Sequence, residues 1–199
     1  MLHTHRAFPT TRVCGNICLI ATIFTVLLPL LQFFHNALLY QRYLIEAGEV
    51  WRIWTGSLVH TNYWHLTMNL TGFWILALIQ QQPPSKWAFL GQIVFIATGV
   101  GAGLWFMSTE VIWYAGFSGV LYGLFLLAGI HLLALREWVM AAIILAGICG
   151  KTLWDWLLGG ETLSADLIEA PVIYAAHVYG MASALLLGIS TLLRTCRKP

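Results

Sequence analysis

Charge is what this chain has least of. Lysine, arginine, aspartate and glutamate make up 9% of its 199 residues, 59% are hydrophobic, and mean hydropathy is +0.78. A soluble domain carries about 25% charged residues. Too little polar side chain is present to cover a water-facing surface, so lipid must cover it. The net charge of +2, with no cluster of basic residues, excludes a nucleic-acid footprint. Cysteine is sparse too. Cys14, Cys18, Cys149 and Cys196 are scattered, which argues against a disulfide framework and a zinc site. Cys14 and Cys18, one helical turn apart, read as small packing residues. There is no internal repeat and no second domain, so residues 1–199 read as one membrane domain.

Hydrophobic runs fill the chain instead. At roughly 20 apolar residues per crossing there is room for about six. The runs predict an all-α bundle with helices at about residues 14–34, 64–79, 87–107, 117–135, 138–158 and 171–194. The first run follows Arg6 and Arg12 but exceeds the roughly 7–15 residues of a signal-peptide core, and no small-x-small site follows it, so a retained helix is expected. Residues 35–63 mix Arg42, Glu46, Glu49 and Arg52 with Tyr43, Trp51 and Trp54, a composition suited to the membrane surface. Residues 80–86, with Pro83 and Pro84, form a loop, and Pro171 is expected at the start of the last helix. Arg6, Arg12, Lys86, Arg136, Arg194, Arg197 and Lys198 fall on one side of this layout. The other side holds Arg42 and Arg52 with Glu46, Glu49, Glu110, Glu161, Asp166 and Glu169. The positive-inside rule then puts both termini in the cytoplasm.

Polar residues inside lipid are costly and mark candidate sites. Ser118, in Gly116-Phe117-Ser118-Gly119, lies where a polar loop becomes a helix, and its N–H is among the unpaired donors of a helix start. The same glycines also suit a packing face, with Gly119 and Gly123 one turn apart. His177 sits in an otherwise apolar last helix, on a face kept small by Gly180, Ala184 and Gly188. It reads either as a satisfied core histidine or as a base for Ser118, if the fourth helix is its neighbour. His60, His65 and Asn69 form a third group, with His65 and Asn69 on one helical face as possible oxyanion donors. Clustered histidines also suit a metal, although no His-Glu-x-x-His motif or well-spaced carboxylate accompanies them. Lys151 and Asp155, four apart on the fifth helix, read as an intrahelical ion pair. The alternative, Asp155 as third member of a Ser-His-Asp triad, is less favoured because nothing in the sequence ties it to His177.

No one of these motifs decides the matter, but the predicted topology brings His60, His65, Ser118 and His177 to a similar depth in the outer half of the bundle. Together with Trp51-Arg52, Tyr122 and Ala176-His177-x-x-Gly180, they resemble the rhomboid family of intramembrane serine proteases over nearly the whole chain. The resemblance implies a six-helix rhomboid-like bundle and a catalytic dyad of Ser118 and His177 without an aspartate. It further implies oxyanion donors at His65, Asn69 and the Ser118 N–H, with His60, Gly116, Gly119, Tyr122, Gly180, Trp51 and Arg52 in support. Tyr122 would stack beside the catalytic histidine. No cofactor and no metal is implied. The segments Trp113–Gly123 and Pro171–Gly180 are most similar to the rhombosortase branch. That likeness implies a bacterial inner-membrane protein with its site toward the periplasm. The partners implied are transmembrane proteins with C-terminal tails made of a Gly-Gly motif, a transmembrane helix and a basic end.

Overall fold

The computed structural model describes residues 11–80 and 84–196, with side chains described for 15–80 and 84–189. Arg6, Arg197, Lys198 and loop residues 81–83 lie outside the described residues, as do the side chains of Arg12, Cys14, Arg194 and Cys196. In chain order the helices are α1 (Thr11–Leu31), α2 (His35–Leu38), α3 (Arg42–Glu46), α4 (Arg52–Thr55), α5 (Tyr63–Ile79), α6 (Lys86–Met107), α7 (Ser118–Ala134), α8 (Trp138–Leu157), α9 (Leu163–Ile168) and α10 (Tyr174–Cys196). A two-residue antiparallel pair joins β1 (Tyr40–Gln41) to β2 (Trp113–Tyr114), with Tyr40 opposite Tyr114.

This is an all-α membrane bundle. The run Gly15–Leu38, α6 and α8 are long and apolar enough to cross a bilayer, and Ser118–Ala134 and Tyr174–Ile189 are shorter apolar helices. The 17 residues of α5 span about 26 Å, close to the roughly 30 Å of a hydrocarbon core. Helix α7 occupies the middle, packed against α5, α6, α8 and α10, while α1 closes over α5 and α6. The exposed face of α8, with Val139, Ile143, Leu153 and Trp154, is as apolar as its buried face, which suits a helix with lipid on one side.

The segment between α1 and α5 is pinned rather than loose. Arg42 donates to the carbonyls of Leu104 (2.7 Å), Ser108 (3.0 Å) and Trp105 (3.2 Å), so a cation caps the C-terminal end of α6, where unpaired carbonyls and the helix dipole both favour positive charge. Arg52 is buried. It bonds Glu49 and donates to the carbonyls of Asn36 (2.9 Å) and Leu39 (2.7 Å), and the adjacent Trp51 indole donates to Ala37 (3.2 Å). Trp51 and Arg52 thereby hold α4 against the end of α2, and Trp51, Trp54 and Tyr43 keep exposed aromatic surface.

The last helix starts later than its proline suggests. Pro171 precedes α10, which begins at Tyr174. The Val172 N–H is spent on the carbonyl of Gly160 (3.0 Å), and that bond ties the chain before α10 to the turn after α8. Glu169, with φ 54°, ends α9 in a left-handed conformation and turns the chain into this connection.

Candidate active site

The site is assembled at the ends of helices that alternate in direction. Helices α5, α7 and α10 begin at the same level where α6 and α8 end, so Ser118, His65 and His177 all fall within the first turn of their helices.

Ser118 is delivered by three anchored residues before it. Tyr114 is buried; burial pushes its pKa up and keeps the hydroxyl a donor, which bonds the Gly116 carbonyl at 2.7 Å. The Gly116 N–H donates to Gly56 O (3.1 Å), and φ of +130° at Gly116 lies where side chains are strained. A Cβ there would also meet the His65 ring at 2.6 Å, so glycine is required twice over. Phe117 is the third anchor: its ring packs on Phe24 of α1 (centroids 5.4 Å) and Phe73 of α5 (5.6 Å), and its N–H faces His60 Nε2 at 3.5 Å. His60 is held from behind, its own N–H donating to Gln32 Oε1 (3.0 Å). Burial, with the nearby rings of His65 and His35, holds its pKa well below 6.5, so at neutral pH it is an uncharged acceptor.

His177 reaches Ser118 because α7 and α10 nearly touch. A Cβ at Gly180 would overlap the carbonyl of Gly119, and one at Gly119 would lie 2.9 Å from the carbonyl of Ala176. Small residues allow this approach. The result is a contact of 3.0 Å between His177 Nε2 and Ser118 Oγ. Tyr122, one turn after Ser118, stacks flat on the imidazole, with centroids 3.9 Å apart and planes 4° apart, and this fixes the ring's tilt.

His65 and Asn69 line the same cavity, which has a volume of about 260 Å³ and is also lined by Ile168 and the chain between α9 and α10. Asn69 is buried and spends one amide proton on His65 O (2.9 Å), leaving a second for the cavity. Thr61 gives its hydroxyl proton to Ile168 O (2.7 Å), so it accepts from His65 Nδ1 (3.1 Å). A neutral His65 then carries its proton on Nδ1 and a lone pair on Nε2; it donates on that side only as imidazolium. Among the described residues, no group of three or more His, Cys, Asp or Glu side chains is arranged to hold a metal ion.

Residues 47–194 match the family model for the Rhomboid domain, well over half the chain and every residue of this site from Trp51 to Gly180. The chain belongs to the rhomboid family. No curated protein and no solved structure matches it. Rhomboid proteins are a family of intramembrane proteases, and helix α1, which supplies Phe24 and is followed by Gln32, lies outside the matched part of this rhomboid.

Sequence reasoning brought Ser118, His177, His65, Asn69, His60 and Tyr122 together; the structure places Ser118, His177, His65, Asn69 and Tyr122 around one cavity, with His60 outside its lining, facing the Phe117 N–H. It missed Tyr114, Thr61 and Gln32, whose roles rest on contacts with backbone or residues far along the chain. It also left Asp155 as a local partner of Lys151. The pair is present, but Asp155 is fully buried and reaches the site as well. A carboxylate within a turn of the end of α8 was the available signal.

Proposed function

We propose that this rhomboid is an intramembrane serine endopeptidase that cuts transmembrane substrates near the outer face of the membrane through a dyad of Ser118 and His177. The observation that carries this reading is the 3.0 Å contact between Nε2 and Oγ, made by residues 59 apart in sequence and braced by the Tyr122 ring.

The chemistry follows from these positions. His177 Nε2 takes the Ser118 proton as Oγ attacks a substrate carbonyl, and the C–O bond forms as the carbonyl π pair moves to oxygen. The oxyanion is held by the Ser118 N–H at the start of α7, by the free Asn69 amide proton, and by His65 when its Nε2 is protonated. Collapse breaks the C–N bond, and His177 returns the proton to the leaving nitrogen. Water then attacks the acyl-enzyme with His177 again as base, releasing a carboxylate and regenerating Ser118. The substrate must unwind locally, because a helix hides its carbonyls in i to i−4 bonds.

The substrates we propose are proteins with C-terminal sorting tails (Gly-Gly, transmembrane helix, basic end), processed at the periplasmic face of a bacterial inner membrane. This rests on the likeness of Trp113–Gly123 and Pro171–Gly180 to the rhombosortase branch. The test is co-expression with two substrates, one carrying such a tail and one a generic single-span rhomboid substrate. Cleavage of the tailed substrate alone, lost in Ser118→Ala and His177→Ala that still insert normally, is the expected result. Cleavage of the generic substrate would widen the specificity, and cleavage of neither would leave a client-binding protein. Full activity in Ser118→Ala would sink the assignment.

A further inference from the structure

Two buried polar atoms at the site have no hydrogen-bond partner, and they face each other. His177 Nδ1 and Asp155 Oδ2 are both unpaired, and 4.0 Å separates them. Asp155 lies in the last turn of α8 with no exposed surface. Its other oxygen, Oδ1, is occupied: it pairs with the Lys151 ammonium and accepts from Thr162 Oγ1 at 3.3 Å. An unmet buried donor or acceptor costs about 1–3 kcal/mol, so two of them in register make a contact that gains by closing. About 1 Å of approach would bring them to hydrogen-bond distance. Catalytic hydrogen bonds are often long before substrate binds.

We propose that Asp155 is a positioning residue for His177, a proposal that rests on the Ser118–His177 reading of the site. With Nε2 turned to Ser118 as acceptor, the neutral ring must carry its proton on Nδ1, and Asp155 Oδ2 is the acceptor on that side. It selects the tautomer in which Nε2 is free to take the serine proton. It also stabilises the imidazolium that results. Lys151 and Thr162 hold Oδ1 and thereby aim Oδ2 at the ring. Tyr122 sets the tilt of the imidazole, and Asp155 sets its rotation in the plane. The dyad's ring thus has a carboxylate of α8 behind it, which positions it without touching the reacting atoms.

The alternative is that Asp155 only neutralises Lys151, and removing both charges separates the two. The full chain in detergent is compared as wild type, Asp155→Asn and Lys151→Met/Asp155→Asn, with labelling of Ser118 by a fluorophosphonate and cleavage of a transmembrane substrate as readouts. Both variants should lose about 100-fold or more in kcat with KM near wild type, toward the roughly 10⁴-fold seen when a carboxylate orienting a catalytic histidine is lost. Wild-type cleavage by the double variant would overturn the proposal. A measurement free of folding effects is the low-field proton spectrum of the wild-type chain. A buried Nδ1–H resonance absent from His177→Ala is expected; its absence from the wild type would also overturn the proposal. Loss of the dyad reading looks different: Ser118 would go unlabelled in the wild type, and Ser118→Ala would still cleave.

Discussion

Asn69 has two amide protons and the fold uses one, on the carbonyl of His65. The other is available to an oxyanion, so Asn69→Ala should lower kcat by about 10- to 1000-fold with little change in KM, as loss of one such donor does. Steady-state cleavage in detergent checks this, and an unchanged kcat would remove Asn69 from the site. His60 carries a prediction of a different kind. It is neutral when folded, with its pKa held well below 6.5 by burial and by His65 and His35, whereas in the unfolded chain it takes up a proton below about pH 6.5. Its contribution to stability is complete above that pH and is lost as pH falls toward the folded value, at up to about 1.4 kcal/mol per pH unit. The thermal midpoint should therefore fall between pH 7.5 and 5, and His60→Asn should fall less over the same range. An equal decline in the variant would show that His60 does not take part. At this scale the candidate site residues were legible because each is a polar group at a place where lipid forbids idle polarity. Part of their bracing was not. Thr61 acts through Ile168, 107 positions away, and nothing local to either residue records that.

Between α7 and α10 the deciding quantity is the distance between two backbones. Gly119, Gly123 and Gly180 leave no room for a side chain at the crossing; even at Gly123 a Cβ would lie 2.6 Å from the carbonyl of Gly180. Gly180→Val should force the helices apart, break the contact between Ser118 and His177, and cost about 100-fold or more in cleavage, since a misplacement of about 1 Å has that effect. The thermal midpoint should fall as well. Wild-type cleavage by this variant would mean that the crossing does not set the dyad. Hydrophobic runs make helices of this kind readable, because a bilayer needs a fixed length of apolar residues. They say less about ends. Pro171 permits a helix start, yet the chain enters α10 only at Tyr174, because the bond from Val172 to Gly160 holds the preceding residues to the α8 turn. They say nothing of rotation about the axis. Asp155 sits at the right depth by its place near the end of α8, but only the packing of α8 against α7 and α10 turns its carboxylate toward His177 rather than toward lipid.

For the molecule as a whole, the function proposed depends on which way the bundle faces. The end that carries the site also carries Glu110, Glu161, Asp166 and Glu169, whereas Lys86 and Arg136 lie at the other end. Two arginines, Arg42 and Arg52, lie on the acidic side, which would weaken a count of positive charge. Neither is a free loop charge: Arg42 is spent on the carbonyls that end α6, and Arg52 on Glu49 and the carbonyls near α2. With those two accounted for, the positive-inside bias predicts the turn between α7 and α8 in the cytoplasm and the turn between α8 and α9 outside. Reporter fusions decide it. Alkaline phosphatase, which folds only outside the cytoplasm, should be active when fused after Gly160 and inactive when fused after Arg136, and a fluorescent protein should give the reverse pattern. The opposite outcome would turn Ser118 toward the cytoplasm. Substrates would then have to be cut at their inner ends, and tails carrying a basic cytoplasmic end could not present their Gly-Gly segment to this site.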